Sequence, residues 1–229
     1  MKKELLWSSR LFRLFQLKEE IDRFLLLSVC FSLLLLAVRI VATHSLLSAS
    51  LAWNLLLAWI PYGISSWLYR HTGSLKNKGA YAILFLIWLL FIPNTFYIIT
   101  DLFHLRDDRN APLWYDLLLI FSFAWNGLLL GILSIRAMEK ITQVFFPFKY
   151  DWTFIYPIMC LNALGVFIGR YLRYNSWDVI SDPLDLTTDI LRLLLHPILH
   201  HNEWAMVISY SLLMTILYVT IKKISRMIW

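Results

Sequence analysis

The chain is short of charge and nearly devoid of cysteine. Only 16% of its 229 residues are Asp, Glu, Lys or Arg, against about a quarter in a soluble domain. That shortage excludes an ordinary water-covered surface. The two cysteines, Cys30 and Cys160, both fall inside apolar runs, so they read as small packing residues and not as a disulfide or redox pair. There is no nucleotide-binding glycine loop, no Gly-x-Ser-x-Gly elbow and no cysteine-based motif, so ATP-driven chemistry is not expected. Internal repeats and inverted halves are also absent from the sequence.

What is present is grease. Hydrophobic residues make up 59% of the chain, and the mean hydropathy is +0.64. A helix crossing the hydrocarbon core needs about 20 mainly apolar residues. Six windows qualify, at 24–43, 51–69, 79–99, 115–135, 153–172 and 204–221. They are continuously apolar and do not alternate, which predicts an all-α transmembrane bundle of about six spans. The core at 24–43 resembles a signal peptide, but the mixed polar stretch before it and the spans after it predict a retained first helix.

The net charge of +6 is not a nucleic-acid footprint, because the basic residues sit at the ends of apolar runs and form no stripe. Fifteen of the 21 Lys and Arg fall in the N-terminal segment, the second–third and fourth–fifth loops and the C-terminus. The positive-inside rule then places both termini in the cytoplasm. Residues 1–23 carry Trp7, Leu11, Leu14 and Phe15 on one helical face, an interfacial segment ahead of a single bundle over 24–229. A loop or short helix is expected at about 176–202 on the outer face, where "ILRLLLHPIL" has amphipathic spacing.

The third window ends in "IPNTFYIITDLFHL". At about 100° per residue, Asn94, Tyr97, Asp101 and His104 form one stripe, with Pro93 set to kink the helix before it. Ionisable groups at membrane depth face a bundle interior or a wet cavity. On the same outer side lie Asp116, in "WYDLLL", and Arg170, Arg173, Tyr174, Asn175, Trp177 and Asp178, in "GRYLRYNSWD". Gly165 and Gly169 form a Gly-x-x-x-Gly pair suited to a close neighbour.

These three blocks resemble the signature blocks of the bacterial multi-span membrane proteins of the domain-of-unknown-function family 1361, in matching order from about residue 50 to about residue 210. The resemblance implies a bacterial membrane protein and brings no activity, cofactor or catalytic residues with it.

On chemistry, Asp101 could orient His104 as a general base, or the two could be a structural pair. Arg170 and Arg173 could clamp an anion, or could pair with Asp101, Asp116 or Asp178 and lock helix ends together. Asn94, Tyr97, Asp116, Asn175, Trp177 and Asp178 complete the candidate substrate contacts. His196, His200 and Glu203 would share a face only on a continuous helix; no metal is expected, and surface histidines are the preferred reading. The expectation is an outer-leaflet enzyme or binder in the cytoplasmic membrane, acting on an anionic, lipid-linked substrate. The alternatives are a transporter, with Asn54, Asn126 and Asn162 as its deeper polar residues, or an assembly factor.

Overall fold

The computed structural model describes residues 2–46, 48–71, 78–105, 111–147 and 150–227, and of residues 2–19, 104 and 226 the backbone alone. The predicted faces of the N-terminal segment, the side chain of His104, and Arg106 and Arg109 therefore lie outside the described residues. The described residues are helical, with no strand. In chain order the helices are α1 (Lys2–Thr43), α2 (Ala49–His71), α3 (Lys78–Phe91), α4 (Pro93–Tyr97), α5 (Leu113–Phe145), α6 (Trp152–Phe167), α7 (Asp178–Ser181), α8 (Pro183–Leu195) and α9 (His201–Met227). A 3-10 turn (Ile98–His104) follows α4, and a π turn (Ile168–Leu172) follows α6.

Among the described residues, five helical stretches are long and apolar enough to cross a membrane: Glu20–Thr43, Lys78–Phe103, Leu113–Phe145, Trp152–Leu172 and His201–Ser225. The chain is therefore a membrane-embedded helical bundle. Its outer faces carry many exposed large hydrophobics, including Phe24, Leu27, Leu86, Phe121 and Ile216, as lipid contact requires. α2 is not among the five. Its three tryptophans, two tyrosines, Pro61 and Arg70 lower its hydropathy, although 23 residues span about 35 Å at 1.5 Å each. The first helix runs unbroken from Lys2 into the predicted first span.

α5 is the central element. α2, α3 and α5 meet at mid-bundle, where Trp88 Nε1 donates to Ser134 Oγ at 2.8 Å and Ser134 Oγ donates to Pro61 O at 2.9 Å. Ser65 Oγ lies 2.9 Å from the same hydroxyl. These bonds satisfy polar groups that would be costly among hydrocarbon side chains.

The short helix α4 is clasped between two Gly-x-x-x-Gly grooves, only the second of which stood out in the sequence. On α5, a Cβ at Gly127 would come within 2.5 Å of Thr95 O, and one at Gly131 within 2.5 Å of Thr95 Oγ1. On α6, Gly165 receives the Pro93 ring and Gly169 the Tyr97 ring. Small residues let α4 sit against both neighbours at contact distance. That seat fixes the polar end of the bundle.

Candidate functional site

Pro93 opens α4 at a position where no intrahelical N–H is needed, and α3 stops just before it. The expected kink site is thus the boundary between two helices. Asn94 then turns its amide nitrogen to Phe91 O (3.0 Å) and to Ser176 Oγ (3.1 Å). Ser176 donates to Leu90 O at 3.3 Å, so the loop after the π turn is stitched to the α3–α4 break.

Beyond Tyr97 the helix tightens to 3-10 geometry. The narrower turn, about 120° per residue, rotates Asp101 off the arc shared by Asn94 and Tyr97. Asp101 is instead buried against α2 and the π turn. Its Oδ1 accepts from Arg170 Nη2 at 2.5 Å and its Oδ2 from Asn54 Nδ2 at 3.1 Å. Arg170 Nε donates to Thr100 Oγ1 at 2.8 Å. The guanidinium lies 4.5 Å from the centre of the Tyr97 ring, a cation–π contact that holds both side chains. The π turn widens the end of α6 and is what aims Arg170 inward.

Beside this pair is a cavity of about 360 Å³ between α2, α3–α4, α6 and α8. Leucines line its deep part, with Leu57, Leu89 and Leu164 among them. Asn54, Asn94, Tyr97, Asn175 and Ser176 line its polar end. Of the predicted substrate contacts, Asn94, Tyr97 and Asn175 thus share one wall. Asp101 and Arg170 stand behind it.

The loop is held by its own bonds. Asp178 accepts from the Asn175 backbone N–H at 2.6 Å and from the Ser181 hydroxyl at 2.8 Å, and these bonds hold its carboxyl below the usual range. Tyr174 donates to Asp189 of α8 at 3.0 Å; burial, and then this carboxylate, push its hydroxyl up to about 12. Trp177 meets Trp53 edge to face, centroids 6.3 Å apart. Arg173 caps the π turn in the left-handed region, φ 62°. Its backbone N–H donates to Ile168 O, while its side chain is exposed and makes no hydrogen bond or ion pair among the described residues.

Asp116 is elsewhere. It forms a buried two-point pair with Arg39 of α1, Nε to Oδ1 at 2.6 Å and Nη2 to Oδ2 at 3.3 Å. The candidate metal group does not assemble, because α8 ends at Leu195 and α9 begins at His201. His200 and Glu203 pair at 3.5 Å, and no cluster of three His, Cys, Asp or Glu suited to a metal occurs among the described residues. Of the deeper amides, Asn126 bonds Ser32 Oγ at 2.9 Å. Asn162 is fully buried, with neither amide atom bonded among the described residues.

A network that sequence reasoning missed closes the opposite end. Lys222 donates to Glu139, and to Asp151 at 2.7 Å, while Tyr218 donates to Glu139 at 2.5 Å. The signal was available: Glu139 is an acid inside a long apolar helix.

No curated protein and no solved structure matches the chain. One family model does, over residues 53–217, a range that holds the cavity, the α4 clasp and the Arg170–Asp101 pair. On that match the chain belongs to the family described as protein of unknown function, DUF1361.

Proposed function

We propose that the chain is a six-span protein of the bacterial cytoplasmic membrane, with both termini in the cytoplasm, whose cavity holds one amphipathic molecule drawn from the outer leaflet. The observation that carries this reading is the cavity's two-sided chemistry at a lipid-facing wall. Trp53, Leu86 and Leu161 line it and are also exposed on the outer surface, so an acyl chain can enter sideways without crossing water. Leu86 and Tyr97 stand about 16 Å apart along the helix, the reach of a medium acyl segment ending at amides and hydroxyls. Pockets of this kind, apolar with a few convergent polar groups, are where small ligands bind.

Both oxygens of Asp101 are engaged, by Arg170 and Asn54. This favours binding over proton transfer, with Asp101 and Arg170 as positioning residues behind the Asn94–Tyr97 wall. The cavity's polar groups are gathered at one end, which favours a binding site over a conduction path.

The test is native mass spectrometry of protein extracted in mild detergent. One copurifying amphiphile is expected in the unaltered chain. It should be lost in Leu86→Trp and in Leu161→Trp, exposed positions where a larger ring fills the rim with little cost to the fold. Retention of the same amphiphile in both variants, at unchanged melting temperature, would sink the reading.

A further inference from the structure

The cavity also carries information about which head group it takes; this inference rests on the reading above. We infer that the ligand is a lipid whose head group is uncharged and rich in hydroxyl donors, the chemistry of a glycosyl or other polyol head. The first argument is charge. Among the described residues, no Asp, Glu, Lys, Arg or His lines the cavity. The Arg170 guanidinium behind the wall is covered by the Tyr97 ring and bonded to Asp101 and Thr100. A phosphate moved into such a wall would lose its water without gaining a counter-ion. A cationic head would meet the same lack of carboxylate. Outside the rim the segment from Arg173 to Leu195 adds Asp178, Asp182, Asp185 and Asp189 against Arg173 and Arg192, a field that disfavours anions.

The second argument is the direction of the amides. The nitrogen of Asn54 is committed to the Asp101 carboxylate. The nitrogen of Asn94 is committed to Phe91 O and Ser176 Oγ. Acceptors of that strength fix the orientation of both amides. Their carbonyl ends accept no hydrogen bond among the described residues, and neither is sealed from access. The Tyr97 hydroxyl likewise makes no hydrogen bond among the described residues. Beside Asn175 and Ser176, the polar end therefore offers the Asn54 and Asn94 carbonyls and the Tyr97 phenol, set to receive O–H donors. A site built around such groups discriminates against a ligand that leaves them unpaired.

The experiment measures retention of defined lipids by native mass spectrometry, in a polyoxyethylene detergent free of sugar. The probes are monoglucosyl diacylglycerol, phosphatidylglycerol and diacylglycerol, with methyl glucoside as the soluble arm. The glucosyl lipid should be held roughly tenfold more tightly than either other lipid, and methyl glucoside should not displace it at matched concentration. Tyr97→Phe keeps the ring over Arg170 and removes only the hydroxyl. It should reduce the glucosyl preference severalfold while the melting temperature holds. Phosphatidylglycerol binding as well as or better than the glucosyl lipid overturns the head-group inference and leaves the amphiphile reading standing. Displacement by methyl glucoside overturns the lipid half of the inference. No retention of any lipid overturns both readings.

Discussion

At the scale of single residues, the two arginine–aspartate pairs differ in what surrounds them. Arg39 and Asp116 are buried together, with side chains 2% and 7% exposed. Arg170 and Asp101 are each 12% exposed and sit next to the cavity wall. Removing one partner of a buried pair leaves an uncompensated charge and costs about 3–5 kcal/mol, whereas replacing both by apolar groups of similar volume is close to neutral. Asp116→Leu should therefore lower the melting temperature sharply, and the double variant Arg39→Met/Asp116→Leu should recover most of the loss. A double-mutant cycle on detergent-purified protein measures it, and additive losses would refute the pairing. The sequence makes Asp116 conspicuous as an acid at a helix end. It does not reveal Arg39 as its partner, because that choice depends on α1 packing beside the start of α5. The same limit applies to Arg170, for which three aspartates were open and the 3-10 rotation decided the outcome.

At the scale of elements, the helices themselves were legible because long apolar runs leave few other structures in lipid. Departures from α geometry were not. The 3-10 turn after α4 and the π turn after α6 have no compositional mark, yet they aim Asp101 and Arg170 at each other. The loop between the π turn and α8 offers a pH test. The carboxyl of Asp178 is held below its ordinary range by the Asn175 N–H and the Ser181 hydroxyl. A depressed carboxylate contributes order that is complete above the unfolded value and is lost as pH falls through the folded value. The protection factors of the Asn175 and Asp182 amides, exchange rates corrected for the intrinsic pH dependence, should therefore fall as the medium is acidified below about pH 4. In Asp178→Asn these amides should be poorly protected already at neutral pH, with little further change in protection factor on acidification. Equal exchange in both chains at neutral pH would show that the carboxylate does not hold the turn.

At the scale of the whole molecule, orientation decides which leaflet the cavity meets, and α2 decides orientation. Five stretches have the hydropathy of a span, and an odd number would put the termini on opposite sides. α2, however, lies along α5 over most of its length. Near one end Asn54 bonds Asp101. Near the other, the Tyr69 ring lies 5.6 Å from Lys140 Nζ. These positions are about 22 Å apart on a helix axis, most of a hydrocarbon core of about 30 Å, and the aromatic and proline content of α2 is satisfied by packing and by the Ser134 bonds. In the proposed six-span arrangement fifteen basic residues share one side, the side that the positive-inside rule assigns to the cytoplasm. Single cysteines at Ser181 and at Lys140, in a background with Cys30 and Cys160 replaced by Ala, test this in intact cells with a membrane-impermeant maleimide. Ser181, exposed beside the cavity rim, should label from outside, and Lys140 only after permeabilisation. Labelling of Lys140 alone from outside would invert the bundle and turn the cavity to the inner leaflet. Labelling of both from outside would mean that α5 does not cross the membrane between the cavity end and Lys140.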